Sequence, residues 1–231
     1  MLKAYQIYYL ENQKEYLLPG FSYFFNKDST IFLESEVAID LFNKCSHEEF
    51  EWFGIFSWKV GSKLTSTFSY DILSRAASAL HRADIIAPKL TSYPWGDLNE
   101  SHNPRYCHSR TPGMWEAVDL ILQKLGIPDL GNGNHLNKTI YPIYTNSFIF
   151  KKTIANDFYN NFLAKVIDLI KNDKQISSLA YLESDYNMQF ELPPSLAEKT
   201  GLEKWPHIPF ILERMINVYY LTHKKKVAFV L

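Results

Sequence analysis

The chain has 231 residues, of which 46% are apolar and 16% aromatic, so it can bury a full core, and we expect one domain over residues 1–231. A net charge of -1 argues against nucleic acid as the main partner. The first twenty residues lack the apolar core of a signal peptide, and the two cysteines have no metal or redox spacing, so we expect a reduced cytoplasmic protein.

The first part of the chain predicts alternating strands and helices, from the apolar periodicity and the glycine and proline signals between segments. The predicted strands are Lys3–Tyr9, a short segment Thr30–Leu33, Trp52–Trp58 and Asp84–Leu90, and the predicted helices are Ser35–Cys45 and Ser69–Ala83.

The rest of the chain continues this alternation around two long loops, Thr91–Pro112 and Pro128–Lys138. The predicted helices are Gly113–Gly126, Thr153–Asp173 and Pro209–Lys226, and the predicted strands are Ile140–Phe150 and Val227–Leu231. This order is typical of an α/β fold in which helices cover both faces of a mixed central sheet, a three-layer sandwich. Loops of this length are usually functional, and we expect Thr91–Pro112 to close over a ligand.

Polar residues follow the predicted strands where ligands of α/β sheets usually bind. The third strand ends in Ser57, Trp58 and Lys59, and ligands in such sheets lie beyond the carboxyl ends of the strands. We therefore expect a nucleotide diphosphate near Tyr8, Lys59 and Asp84. Packing under a loop is the commoner role of an aromatic residue, and solvation that of a lysine, so those roles remain alternatives.

Two further groups of residues have weaker implications. The loop histidines His102, His108 and His135 have no zinc-ligand spacing, so we assign no metal. The basic run His223–Lys226 suits the end of a helix and could also contact an anionic membrane surface.

Five features in a fixed order resemble a known group of proteins. They are "FGIFSWKVGSK", "ADIIAPKL", "YPIYTNSFIFKK", a long helix and "PFILERMINVYY". Together they resemble the glycosyltransferase-like proteins of bacterial surface-polysaccharide clusters, which are similar to small GT-A type sugar-nucleotide transferases. Each stretch alone is weak evidence, and their order over most of the chain carries the resemblance.

The resemblance implies a GT-A-like, Rossmann-like fold and a glycosyltransferase that uses a nucleotide-sugar donor. It implies a glycan or lipid-linked glycan acceptor, in capsule, O-antigen or lipooligosaccharide assembly at the cytoplasmic face of the inner membrane. It places Asn146 beside the donor sugar and Asp185 in an acidic motif on the acceptor side. In and before the last helix it implicates Glu213, with His207 and Arg214 among the donor-binding residues.

The sequence differs from the GT-A pattern at the metal-binding motif. GT-A enzymes commonly hold a divalent cation with an Asp-x-Asp motif, whereas "ADIIAP" supplies Asp84 alone. Either the enzyme works without a metal, with Lys59 and Arg214 neutralising the diphosphate, or the chain has lost activity. A requirement for Mn²⁺ or Mg²⁺ with the diphosphate stays open.

Inverting transfer also needs a carboxylate base, and Asp185 and Glu213 are the candidates. The alternative is that both are solvated surface residues without a catalytic role. Because neighbouring helical residues point about 100° apart, we expect no mutual pair between Glu213 and Arg214. Two other functions remain open: a non-catalytic nucleotide- or glycan-binding module on the same fold, and transfer of a phosphoryl-containing group.

Overall fold

The computed structural model describes residues 1–27, 30–64, 68–88, 113–127, 143, 146–184 and 191–230. The strands are β1 (Leu2–Tyr8), β2 (Ser22–Phe25), β3 (Trp52–Ser57), β4 (Ile85–Pro88), β5 (Phe148–Lys151) and β6 (Val227–Val230). A 3₁₀ helix covers Glu11–Tyr16, and the first α-helices are α1 (Glu34–Cys45), α2 (Val60–Lys63), α3 (Tyr70–Ala79) and α4 (Met114–Lys124). Next come α5 (Lys152–Asn156), a π-helix (Asp157–Leu163), α6 (Ala164–Asn172), α7 (Lys174–Ala180), α8 (Pro194–Thr200) and α9 (Ile208–Thr222).

The six strands form one mixed sheet in the order β2-β1-β3-β5-β4-β6. Strand β1 is parallel to β2 and β3, and β4 is parallel to β6, whereas β5 runs antiparallel to both β3 and β4. Five strands therefore share one direction. We call the edge where these five strands end the carboxyl edge, and the opposite one the amino edge. Because β5 is reversed, its first residues lie at the carboxyl edge.

Two apolar clusters flank the sheet and make the third layer possible. The cluster on one face contains α1, α4, the helical run of residues 152–172 and α9, packed on sheet residues such as Phe53 and Phe150. The cluster on the other face contains α3, packed on Trp52 and Phe56. Helix α1, which follows β2, and helix α3, which follows β3 and the short α2, thus cover opposite faces of the sheet. Such a change of face creates a crevice at the carboxyl edge. The predicted α/β class, mixed sheet and three layers are confirmed.

The second predicted strand is wrong. Residues 31–33 form a turn whose side chains, Ile31, Phe32 and Leu33, are buried in the α1-side core. The strand beside β1 is instead Ser22–Phe25, which pairs with Tyr5–Tyr8. An apolar triplet satisfies a core position equally well from a turn, so composition alone could not distinguish the two.

Two other elements differ from the expected bounds. The helix predicted over Thr153–Asp173 is present but contains a π-helical stretch at Asp157–Leu163. The strand predicted over Ile140–Phe150 is confirmed only from Phe148 onwards among the described residues. No helix in the described ranges combines the length and apolar character needed to span a bilayer.

Candidate functional site

A buried glutamine on β1 organises the carboxyl edge. The Gln6 side chain is fully buried, and its Nε2 donates to the carbonyl oxygens of Trp58 at 3.2 Å and Ser57 at 3.5 Å. Its Oε1 accepts from the backbone N–H of Leu18 at 2.8 Å. One amide therefore ties the end of β3 to the segment after the 3₁₀ helix. Such a group is costly to bury unless it is hydrogen-bonded, and here both of its ends are.

The first predicted donor-binding residues, Tyr8 and Lys59, both lie at this edge. The Tyr8 ring stacks on Phe25 with centroids 4.9 Å apart, and the Lys14 Nζ lies 5.7 Å from the Tyr8 centroid. The Lys59 Nζ lies 4.8 Å from the ring of Trp58. Aromatic faces with adjacent cations are suited to an aromatic base or an anionic group.

A small cleft opens beside the start of β5. Asn146 lines it together with Glu34 and Ser35 from the start of α1. Apolar side chains form the rest of its wall: Ala38, Ile55, Phe148, Phe158, Tyr159, Leu163, Leu212 and Ile216. Because β5 is antiparallel and Ile55 pairs with Phe148, Asn146 lies near the end of β3. The structure thus brings Asn146 to the same edge as Tyr8 and Lys59.

The predicted pair on α9 lies elsewhere. Leu212 and Ile216 line the cleft, and residue 214 is about 200° around the helix from residue 212. Arg214 is buried, and its Nη1 donates to the Phe210 carbonyl oxygen at 3.2 Å and to Glu213 Oε2 at 3.3 Å. The expectation of no mutual pair is therefore wrong, because a long guanidinium can fold back over a neighbouring carboxylate.

The same side of α9 holds the segment that precedes β5. Asn217, one turn from Arg214, is buried and hydrogen-bonds both the N–H and the carbonyl oxygen of Ile143 at 2.8 Å. In the described part of the chain, the Arg214 Nε has no hydrogen-bond partner. Arg214 thus lies across α9 from the cleft. Glu213 is about 60–100° around the helix from the two lining residues and does not line the cleft either, so the described residues do not bring the pair together with Asn146.

Two other predicted residues are held by local structure. Asp84 precedes β4, so it lies at the amino edge, where its Oδ2 accepts from the Lys226 N–H at 2.9 Å. The expectation that Asp84 shares an edge with Tyr8 and Lys59 is wrong, since β4 runs in the same direction as β1 and β3. His207 is buried before α9, with its Nδ1 3.2 Å from the Leu179 carbonyl oxygen.

The remaining predictions fall outside the described residues. They are Asp185, the loops Thr91–Pro112 and Pro128–Lys138, and the histidines His102, His108 and His135. Within the described ranges no three His, Cys, Asp or Glu side chains come close enough to hold a metal ion. With Asp84 at the amino edge, the described residues do not fit a divalent cation at the carboxyl edge.

Sequence reasoning did not identify Gln6, Glu34 or Asn217. Two of these residues had a signal in the sequence: Gln6 lies in a β-rich run and Asn217 in an apolar helix. A polar side chain at a core position needs hydrogen-bond partners, so both positions indicated a structural contact. Glu34 gave no such signal, since acidic residues are common in the first turn of a helix.

Comparison with known proteins supports the fold class. The chain is similar to the apo structure of WbbM, a bifunctional glycosyltransferase, with a TM-score of 0.52 and 16% identity. The likeness covers 99% of this chain and 44% of that protein, so the chain spans less than half of its length. No protein-family model and no curated sequence matches. At this identity the likeness establishes a glycosyltransferase-like fold, in agreement with the predicted GT-A-like class.

Proposed function

We propose that residues 1–231 form one glycosyltransferase domain, which moves a sugar from a nucleotide-sugar donor to a glycan or lipid-linked glycan acceptor in surface-polysaccharide assembly. The main support is the antiparallel direction of β5, which places Asn146 at the carboxyl edge beside the ends of β1 and β3. Donor sites of α/β folds lie at such a convergence, and the fold is that of a glycosyltransferase.

In this proposal each of the described residues binds a different part of the donor. Trp58 and Tyr16, whose ring centroids are 5.4 Å apart, offer a surface for the base, and Lys59 offers a cation for the diphosphate. Asn146 contacts the sugar. The carboxylate base remains a choice between Asp185 and Glu213. We derive no step through Mn²⁺ or Mg²⁺, because the described residues do not fit such an ion.

The test is a thermal-shift screen of nucleotide sugars with and without Mn²⁺, followed by an assay of donor hydrolysis and transfer. A ligand present at about 100 times its dissociation constant stabilises the fold by about 2.7 kcal/mol. Stabilisation together with sugar transfer supports the proposal. If no nucleotide sugar stabilises the chain, the proposal is wrong.

The second candidate is a nucleotide- or glycan-binding module without activity. The location of Asp84 favours this candidate. In the sequence Asp84 takes the place of the expected metal-binding motif, yet in the fold it lies at the amino edge, away from the proposed donor site. Stabilisation by nucleotide sugars without hydrolysis or transfer would select this candidate.

Cytoplasmic localisation with peripheral contact to the inner membrane belongs to the first proposal. Its support is an open groove of about 490 Å³ at the amino edge, lined in part by His81, Arg82 and Lys226. The Lys151 Nζ also reaches this groove's margin and donates to the His81 carbonyl oxygen. Co-flotation with anionic vesicles and not with neutral ones, lost in Arg82→Glu/Lys226→Glu, is the expected result. Equal flotation of both proteins would remove membrane contact from the proposal.

A further inference from the structure

Polar groups from separate parts of the chain meet at the mouth of the cleft beside β5. Glu34 and Ser35 come from the start of α1, and Asn146 comes from the segment just before β5. All three are half-buried, whereas most of the cleft wall consists of fully buried apolar side chains. A mostly apolar concave surface with a few convergent polar groups is the usual form of a small-molecule site.

The backbone just before Glu34 is strained. Leu33 has φ 47° and ψ −128° although it is not glycine, and its side chain is buried in the core. Such a conformation costs about 1–3 kcal/mol and persists only when the surrounding structure imposes it. Glu34 could also interact favourably with the dipole of α1, but that interaction requires neither the strained Leu33 backbone nor a position at a cleft.

The Glu34 carboxylate also interacts with Tyr9. Burial raises the pKa of Tyr9 well above its usual value, and the negative charge of Glu34 raises it further. The carboxylate therefore lies close to a buried phenol that follows β1, on the carboxyl-edge side of the sheet.

The chemistry of this mouth matches a polyhydroxyl ligand. A carboxylate accepts hydrogen bonds, and an amide both donates and accepts, so the two together complement adjacent hydroxyl groups. No described group hydrogen-bonds the Asn146 side-chain amide. Behind the mouth the free space is about 10 Å³, which is room for one water molecule or hydroxyl group and not for a ring.

We propose that Glu34 and Asn146 bind hydroxyl groups of the donor's sugar, with one hydroxyl directed into the cleft. The inference rests on the proposed function and adds to it a sugar-binding residue, Glu34. The nucleotide lies further along the carboxyl edge, toward Trp58 and Lys59. Glu34 therefore distinguishes a nucleotide sugar from the matching nucleoside diphosphate.

Isothermal titration tests this with UDP-glucose, UDP-galactose and GDP-mannose against UDP and GDP. Glu34→Gln keeps the shape and removes the charge, so we expect nucleotide-sugar affinity to fall about tenfold while nucleoside diphosphate affinity is unchanged. Glu36→Gln is the matched control, because Glu36 lies in the same first turn but outside the cleft. It should change neither affinity. Melting temperatures verify that both variants fold.

The inference is overturned if Glu34→Gln binds the sugars like the parent or loses both ligand classes equally. If the parent binds no nucleotide at all, the proposed function fails separately. Titration with free glucose, galactose and mannose by saturation-transfer NMR then decides the inference. Hexose binding that is lost in Glu34→Gln supports a sugar site, and absence of hexose binding in the parent overturns it.

Discussion

The side-chain amide of Asn217 holds the backbone of Ile143: its Nδ2 donates to the carbonyl oxygen and its Oδ1 accepts from the N–H, both at 2.8 Å. Both residues are buried. Helix α9 is thereby fixed to the segment that leads into Asn146 and β5. This contact links the last helix of the chain to one side of the candidate site.

We expect Asn217→Leu to destabilise the protein by about 2 kcal/mol, because it leaves a buried N–H and a buried carbonyl oxygen unpaired. Urea unfolding measures the loss. The control is Asn172→Ala, since Asn172 makes an exposed hydrogen bond to Asp168 and should change stability by less than about 0.5 kcal/mol. Equal losses in the two variants would show that the Ile143 contact contributes nothing special.

Gln6→Leu should cost about 2 kcal/mol for the same reason, and it should also loosen the end of β3. Hydrogen exchange at residues 57–60 is expected to become faster than in the parent, while exchange in α9 stays the same. Unchanged exchange at residues 57–60 would mean that β-pairing alone holds this part of the carboxyl edge.

The contact between Glu213 and Arg214 gives a structural role that competes with catalysis. Arg214 is almost fully buried, whereas the Glu213 side chain is 33% exposed. Glu213→Gln should therefore lower stability by about 1 kcal/mol, less than the loss for a fully buried ion pair. Because Arg214 lies across α9 from the cleft, Arg214→Lys should leave donor binding unchanged, and weaker binding with the fold retained would instead support the predicted contact of its planar fork with the diphosphate.

Stability and turnover of Glu213→Gln are to be measured on the same preparation. A loss of turnover without a loss of stability would assign the base to Glu213. A loss of stability with turnover retained would leave Asp185 as the candidate.

Acid sensitivity should depend on Asp157, which lies across from the end of α9. Burial would raise its pKa, but hydrogen bonds from Tyr219, at 2.5 Å, and Asn161, together with Lys225, hold the pKa below its usual value. A lowered pKa in the folded state contributes stability above the unfolded pKa, and this contribution is lost as pH falls through the folded pKa.

Tyr219→Phe should therefore cost about 1 kcal/mol at pH 7 and less at a pH below the folded-state pKa of Asp157, where that carboxyl is protonated. Tyr70→Phe is the matched control, because the Tyr70 hydroxyl donates to the Leu2 carbonyl oxygen, which does not titrate. Its cost should be the same at both pH values. A constant cost for Tyr219→Phe would exclude Asp157 as the source of acid sensitivity.

Lys59→Ala should weaken donor binding and change the melting temperature little, since a half-buried lysine near an aromatic ring adds about 1 kcal/mol. Lys165→Ala, on the exposed side of α6, serves as the control for a general loss of charge. A fall of many degrees in the melting temperature of Lys59→Ala would indicate a structural role.

The sequence alone predicted the elements that local pattern determines. The apolar runs of β1 and β3 and the 3.6-residue periodicity of α1, α3 and α4 are properties of neighbouring residues, so their alternation and the α/β class followed directly. The polar residues after β3 predicted ligand binding at the carboxyl edge, and this stays a prediction. The strand Ser22–Phe25 was missed, because its pairing with β1 is a contact between distant segments.

Only the tertiary structure decided which polar residues share an edge. The direction of β5 places Asn146 beside Glu34, and the direction of β4 places Asp84 at the opposite edge, although nothing in either segment encodes its direction in the sheet. The rotation of α9 likewise separates Arg214 from the cleft. Strand direction and helix rotation are set by burial of apolar faces contributed by the whole chain, so a list of candidate residues becomes a site only after the core has formed.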